Sequence, residues 1–346
     1  MYPNPPKKML IMNILDILKR YTDEDHRLSQ KEIADILEKE YNMKVDRKAI
    51  KRNLMHLIDF GYELEYSESI RSQKSGEEDT MYSDWYFIRD FTDAELRLLI
   101  DSLLFSKHIP YSQCKQLIEK LEGLSNIYFK SKVKHIRNMP ETMPENKQLF
   151  YNIDILDEAI SKNRQVSFKY NEYDIDKKMR PRKNSKGEVR KYTVNPYQMA
   201  ATNGRYYLIC NLDNYDGVSN YRLDRISDIE LLESKIKDKK KVKGAEHGFD
   251  LPRHMAENIY MFGGESKRVL FRAKRYIIAD ILDWFGKDVK FFDPDENEVT
   301  ASVSVCLDAM FYWALQYGEH IEVLEPEGLR ERVGAAAKAI SDKYSM

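Results

Sequence analysis

Residues 191–232 read KYTVNPYQMAATNGRYYLICNLDNYDGVSNYRLDRISDIELL, and the fold turns on this stretch. Asn203-Gly204 is a strong short-range hairpin signal, because both residues accept the positive φ that a type I′ turn demands. Segments 197–202 and 205–210 on either side are rich in strand-forming and apolar residues. A second break at 213–217 precedes a third strand at 221–223 and a fourth at 229–232. The expectation is a small, strongly bent antiparallel sheet.

The sheet carries a load of tyrosine and arginine. Tyr206, Tyr207 and Tyr221 sit beside Arg205, Arg222 and Arg225. Rings that stack and guanidinium forks that grip phosphate suit a ligand with bases and phosphates. The same residues would also serve a half-buried barrel with snorkelling arginines and ordinary cross-strand tyrosine pairs.

The run Gly204-Arg205-Tyr206-Tyr207-Leu208, followed by Tyr221-Arg222-Leu223-Asp224-Arg225-Ile226, resembles the signature of the WYL-domain family. Tyr206-Tyr207-Leu208 stands where that family has Trp-Tyr-Leu, with Tyr for Trp. Asn195-Pro196-Tyr197 matches its strand-opening proline, and 153–163 matches its leading helix. The basic residue often found ahead of the second run is here Ser219 or Asn220. The resemblance covers about residues 152–233 and implies a small Sm/SH3-like bent barrel. It also implies an effector that is a nucleic-acid fragment, single-stranded DNA for instance, or a nucleotide-type messenger. On that expectation Tyr207, Arg222 and Arg225 touch the effector, with Lys191, Arg205 and Tyr206 in support. Arginines engaged wholly by internal carboxylates would remove the sensing half of this reading.

Upstream, Leu10, Ile14 and Leu18 give a first amphipathic helix. Ser29 with Glu32 forms a capping box opening a second, whose apolar face is Ile33, Ile36 and Leu37. Asp46 caps a third, with Val45 and Ile50 as a hydrophobic staple and Gly61 as its stop. Arg47, Lys48, Lys51 and Arg52 line the third helix, in a helix-turn-helix pattern. Arg47 and Lys48 are candidates for base edges or phosphates of double-stranded DNA, and Lys51 and Arg52 for the backbone. Strand residues Tyr62, Leu64 and Tyr66, a polar loop at 67–84 and a return at 85–88 complete a wing. This module resembles the winged helix-turn-helix that commonly precedes WYL domains.

Thr92 and Glu95 cap a connector helix, a further helix spans 112–124, and 137–147 reads as a hinge. In the sheet domain, Ile153, Leu156 and Ile160 bury one side of the leading helix, and Val166, Phe168 and Tyr170 alternate along a strand. Segment 176–191 is a loop with a marked excess of cations, either a solvated tip or an electrostatic funnel for a polyanion. Beyond a lysine-heavy linker, 266–346 alternates β-α-β-β-α-β and then a helix, a ferredoxin-like order. Residues 321–326 resemble the end of the C-terminal extension that accompanies WYL domains. Arg268, Arg272, Lys274 and Arg275 are candidates for a second wall of the effector groove.

The fold class is thus α+β multidomain: 1–90 winged helix, 91–147 connector, 148–235 WYL, 236–265 linker, 266–346 ferredoxin-like extension. With 346 residues, 42% hydrophobic and 33% charged, the chain has material for two or three cores. Its formal net charge of −1 confines any nucleic-acid argument to local patches. Cys114, Cys210 and Cys306 are scattered, as expected of buried thiols in a reducing compartment, and no stretch has the look of a membrane span, so a cytoplasmic location is expected. Phosphate-binding glycine loops, a nucleophile elbow and zinc spacing among the seven histidines are missing from the sequence. No cofactor or metal is expected, and no catalytic residue is assigned. The functional expectation is a homodimeric transcription regulator that senses its effector through the sheet. Its rivals are an RNA- or single-strand-binding protein with the helices as scaffold, and a nucleotide-processing enzyme.

Overall fold

The computed structural model describes residues 6–72, 78–132, 148–243, 250–264 and 266–345. It is a mixed α and β architecture of helices and antiparallel sheets, in two compact units, 1–143 and 144–346.

In the first unit, α1 (Leu10–Tyr21), α2 (Gln30–Tyr41) and α3 (Arg47–Phe60) pack around fully buried Ile14, Leu18, Ile33, Leu37, Ile50 and Leu54. Each cap expected from sequence forms. Ser29 and Glu32 satisfy one another's backbone amides, Asp46 accepts from the Ala49 amide, and Gly61 ends α3 at φ 110°. The segment expected as a polar loop at 67–84 is instead mostly strand. β1 (Leu64–Ser72) and β2 (Glu78–Phe87) pair antiparallel from Leu64↔Phe87 out to Ser72↔Glu78. Polar cross-strand pairs such as Ser67↔Ser83 leave no apolar alternation to read. The ribbon is anchored where Tyr66 packs on fully buried Trp85, at 4.5 Å between ring centroids, and where the Gln30 side-chain amide donates to the Tyr82 carbonyl at 3.2 Å.

α4 (Asp93–Phe105) opens on the Thr92–Glu95 capping box, and α5 (Tyr111–Glu122) and α6 (Ile127–Lys132) follow around Leu96, Ile100 and Phe129. The start of α6 is bound to the corner between α1 and α2. Asn126 Nδ2 donates to Asp23 Oδ2 at 2.6 Å and to the Thr22 carbonyl at 3.2 Å. The Tyr128 ring stacks on His26 at 3.5 Å. The expected hinge at 137–147 lies outside the described residues.

The second unit opens with α7 (Leu149–Ser161), which buries Leu149, Leu156 and Ala159, with Asn152 donating to the Ile226 carbonyl. Ile153 and Ile160, expected inside, are only half-buried. Six strands follow: β3 (Arg164–Tyr173), β4 (Met179–Pro181), β5 (Lys191–Thr202), β6 (Arg205–Leu212), β7 (Val218–Arg222) and β8 (Ile226–Lys235). They form one antiparallel sheet of order β4-β3-β5-β6-β7, with β8 on β3. Irregularities at Arg164/Val166, Ser167/Lys169 and Pro196/Gln198 bend it, as bulges do. Asn203 and Gly204 turn β5 into β6 at φ 50° and 68°, as the type I′ reading requires.

The segment read as linker is packed for much of its described length. Val242 buries against Tyr197, α8 (Leu251–Glu257) follows, and Ile259 and Met261 are buried. Asn203 Nδ2 donates to the Ile259 carbonyl at 3.0 Å, and Asn220 Nδ2 to that of Met261 at 3.3 Å.

The C-terminal elements come in the expected order: β9 (Ser266–Lys274), α9 (Ile278–Phe285), β10 (Lys290–Phe292), β11 (Glu298–Cys306), α10 (Leu307–Gln316), β12 (Ile321–Glu325) and α11 (Glu327–Tyr344). The sheet order is β10-β11-β9-β12, all antiparallel. Fully buried Trp313 sits against Phe271 and Phe285 at its centre. None of the helices among the described residues is long and apolar enough to cross a membrane.

Candidate nucleic-acid interface

Tyr207 on β6 lies directly opposite Arg222 on β7, so cross-strand pairing puts ring and guanidinium side by side. Buried Leu223 pins the single 3-10 turn after β7, which brings Asp224 back under Arg222. Arg222 then holds both carboxylate oxygens, Nε to Oδ1 at 3.0 Å and Nη2 to Oδ2 at 2.6 Å. Arg205, across the hairpin turn from Thr202, reaches the same carboxylate at 3.6 Å.

The electrostatics follow from this crowding. Burial works against the Arg222 charge, yet its hydrogen bonds to Asp224 hold the guanidinium above its ordinary value. Arg205 is pushed down, first by burial and then by the neighbouring Arg222 cation, with Arg225 adding to the repulsion. Burial raises the Tyr207 phenol, although Arg222 and Arg205 pull the other way, so it stays protonated and can donate. The Arg225 Nε is buried with no hydrogen-bond partner. Two guanidiniums thus meet Asp224, whose side chain is 2% exposed, while Arg205 and Arg222 keep 28% and 18% of theirs open to solvent, and the Arg225 charge acts on Arg205 and Tyr170 beside them. An internal acid engages Arg222 and Arg205, and both keep part of their surface open.

The structure thus gathers Arg205, Tyr207, Arg222 and Arg225. It does not bring Tyr206 or Lys191 to them. Alternation along β6 turns Tyr206 to the opposite face, where burial and then the Asp157 carboxylate of α7 raise its phenol. Lys191 sits at the far end of β5 with Nζ 2.6 Å from Glu230. Of the residues expected as a second wall, Arg268 donates to Ser302 Oγ, Arg272 and Lys274 pair with Glu298, Arg272 also with Glu322, and Arg275 donates to the Asp295 carbonyl. Sequence reading missed Asp224 as the hub and Tyr170 as a partner, whose Oη accepts from the Arg222 amide at 3.3 Å. The Arg-x-Asp-Arg spacing on a predicted strand end was the available signal for the first. Tyr170, on an alternating strand, offered none beyond core.

On the helical unit, Arg47, Lys48 and Arg52 are exposed along α3. Lys51 is not directed outward in the same way: its ammonium lies 4.1 Å from the Tyr82 ring centroid of the hairpin.

Known proteins divide the chain in a matching way. A family model described as the WYL domain matches residues 151–231, and one described as the WCX domain matches 268–341. No curated protein matches the chain. Among solved structures, proteasome accessory factor B/C (PafBC) of Arthrobacter aurescens aligns at 16% identity and TM-score 0.30, covering 100% of this chain and 51% of that one, so this chain spans about half its length. A structure titled a CRISPR Cas-related protein aligns at 15% identity and TM-score 0.37, covering 99% and 88%. The 151–231 match falls on the sheet that carries the arginine cluster and the 268–341 match on the four-stranded sheet after it, so the chain carries a WYL domain followed by a WCX domain.

Proposed function

We propose that this protein is a transcription regulator in which α3 reads double-stranded DNA and the arginine-tyrosine face of the WYL domain binds a nucleic-acid or nucleotide effector. The observation that carries the proposal is the convergence of part-exposed Arg222 and Arg205 on Asp224, beside the protonated phenol of Tyr207. A phosphate accepts from two guanidiniums at once. Support for the reader comes from Arg47, Lys48 and Arg52, exposed on the second helix of a capped pair.

The same reading takes the first three helices and hairpin as a winged helix-turn-helix, the bent sheet as a Sm/SH3-like barrel, and the β10-β11-β9-β12 sheet as ferredoxin-like. It takes the protein to be a cytoplasmic homodimer that acts by binding, without turning its effector over. Effector binding changes duplex affinity by the difference in its affinity for two states of the protein.

The experiment is selection of duplex DNA on the full chain, followed by titration of the selected site with and without short single strands and nucleotides. A selected site whose affinity shifts with effector, and a shift that disappears in Arg222→Ala, is expected. Failure to enrich any duplex, or an effector shift undiminished in Arg222→Ala, would overturn it.

A further inference from the structure

Helix α4 carries more apolar residues than its core uses. Leu96 and Ile100 are fully buried in the cluster with Phe129, and Leu104 packs beside them. At about 3.6 residues per turn, Leu98 stands on the opposite side of the helix, and 68% of its surface is exposed. Phe105, two turns on, is 79% exposed. Phe91, the same distance before Leu98 and just ahead of the Thr92 cap, is 41% exposed. Ala94 and Ser102 lie between them on the same side and are exposed as well. The stripe runs Phe91, Ala94, Leu98, Ser102, Phe105, large and small side chains in alternation. Aligned apolar side chains left open on a helix mark an interaction surface.

The order of large and small is the same from either end, with Leu98 at the centre. A two-fold contact needs a patch that is complementary to itself, and this stripe meets that condition in one orientation. In an antiparallel pair about an axis at Leu98, Phe91 of one copy meets Phe105 of the other, Ala94 comes level with Ser102, and Leu98 meets its counterpart. The small residues let the two helices approach closely. Charge agrees with this arrangement. Arg97 and Asp101 border the stripe on one side, with Arg97 Nε 3.0 Å from Asp101 Oδ2 and the side chains 39% and 36% exposed. Antiparallel pairing sets Arg97 of each copy beside Asp101 of the other, so cations and anions alternate along one border of the seam. A parallel pair would leave the two sets on opposite borders.

The stripe is also tied to the reader. Arg89, just before α4, donates to the carbonyls of Lys19 and Thr22 at 2.8 and 2.6 Å, and Asn126 fastens α6 to the same corner. A two-fold axis at Leu98 thus fixes two α3 helices relative to one another. We propose that two copies of this chain pair through the Phe91–Leu98–Phe105 stripe of α4, antiparallel about Leu98. The proposal rests on the reading of the protein as a homodimer and adds where the copies meet. So short a stripe belongs with small interfaces, under about 1,200 Å² in total, and the dimer it holds dissociates on dilution.

The test combines sedimentation velocity of the full chain over a range of concentrations with disulfide trapping. Cys114, Cys210 and Cys306 are buried, so an introduced exposed cysteine reports by itself. Leu98→Cys forms a covalent dimer under mild oxidation, because Cβ atoms meeting on the axis come within the roughly 4 Å that a disulfide needs. Ala94→Cys and Ser102→Cys each crosslink poorly alone and readily when mixed. Leu98→Arg raises the dimer dissociation constant at least about thirtyfold, as loss of a central anchor does. Arg97→Asp weakens the dimer, and adding Asp101→Arg restores it. A dimer that Leu98→Arg leaves intact, with no crosslink from Leu98→Cys, overturns this interface and leaves the homodimer reading standing. Self-crosslinking of Ala94→Cys as fast as that of Leu98→Cys overturns the antiparallel arrangement. A wild-type chain that stays monomeric at every concentration overturns the homodimer reading itself, and a lowered melting temperature of Leu98→Arg in that monomer assigns the stripe to the chain's own fold.

Discussion

Arg222 grips Asp224 two residues ahead of it with both edges of the carboxylate, at 3.0 and 2.6 Å. A pair that close in sequence needs no long loop to be ordered, so its cost in chain entropy is small. The pairing sets the shape of the whole candidate interface, because Arg205 converges on the same oxygen.

Asp224→Asn should therefore do two opposite things. Removing the buried anion leaves Arg222 and Arg205 without the carboxylate they share, and urea unfolding should show a loss of about 3 kcal/mol. The same change should tighten binding of inorganic phosphate or a dinucleotide, measured by calorimetry in a folded preparation at low temperature. A variant as stable as wild type would show that Asp224 does not hold this cluster together.

Arg222→Lys keeps the charge and loses the planar fork. It should behave like Arg222→Ala in the effector titration, with affinity for the shortest oligonucleotide down at least about tenfold. Retention of wild-type affinity would mean that only charge matters at this position.

On α3, Arg52→Ala should weaken duplex binding and reduce the slope of log affinity against log salt by about 0.9. Lys51→Ala should leave that slope nearly unchanged, since its ammonium lies over Tyr82. Equal slopes for the two variants would count against α3 lying along the phosphates as drawn.

His254 supplies a pH dependence. Burial, opposed by the Glu257 charge, holds its imidazole below the ordinary value, and the ring lies 3.2 Å from Asn220 Oδ1. A depressed pKa favours the neutral form in the folded state, so its stability is complete above the unfolded value near about 6.5 and declines as pH falls through the folded value. The melting temperature of wild type should drop more than that of His254→Gln between about pH 7 and pH 5. Parallel curves would remove His254 from the account.

Much of this architecture was written plainly in the chain, and the reason is local. Ser29, Asp46, Gly61, Thr92 and Asn203-Gly204 each act within a few residues, and each forms the cap or turn its chemistry implies. The helical and strand order of the C-terminal sheet was legible because its period switches cleanly. The β1–β2 ribbon was not, since a two-stranded projection with polar residues on both faces carries no apolar alternation. Within the site, the pairing of Tyr207 with Arg222 follows from hairpin register and could be anticipated. The opposite placement of Tyr206 followed from the same two-residue period and should have been. Which acid would meet which arginine depends on long-range packing: Glu230 with Lys191 and Glu298 with Lys274 are joined only by the finished sheets.

Asn126 and Tyr128 fasten the beginning of α6 to Asp23, Thr22 and His26. The beginning of α6 is thereby welded to a helical corner, and a turn of α6 is felt at the α1–α2 elbow from which α2 leads on to the basic helix.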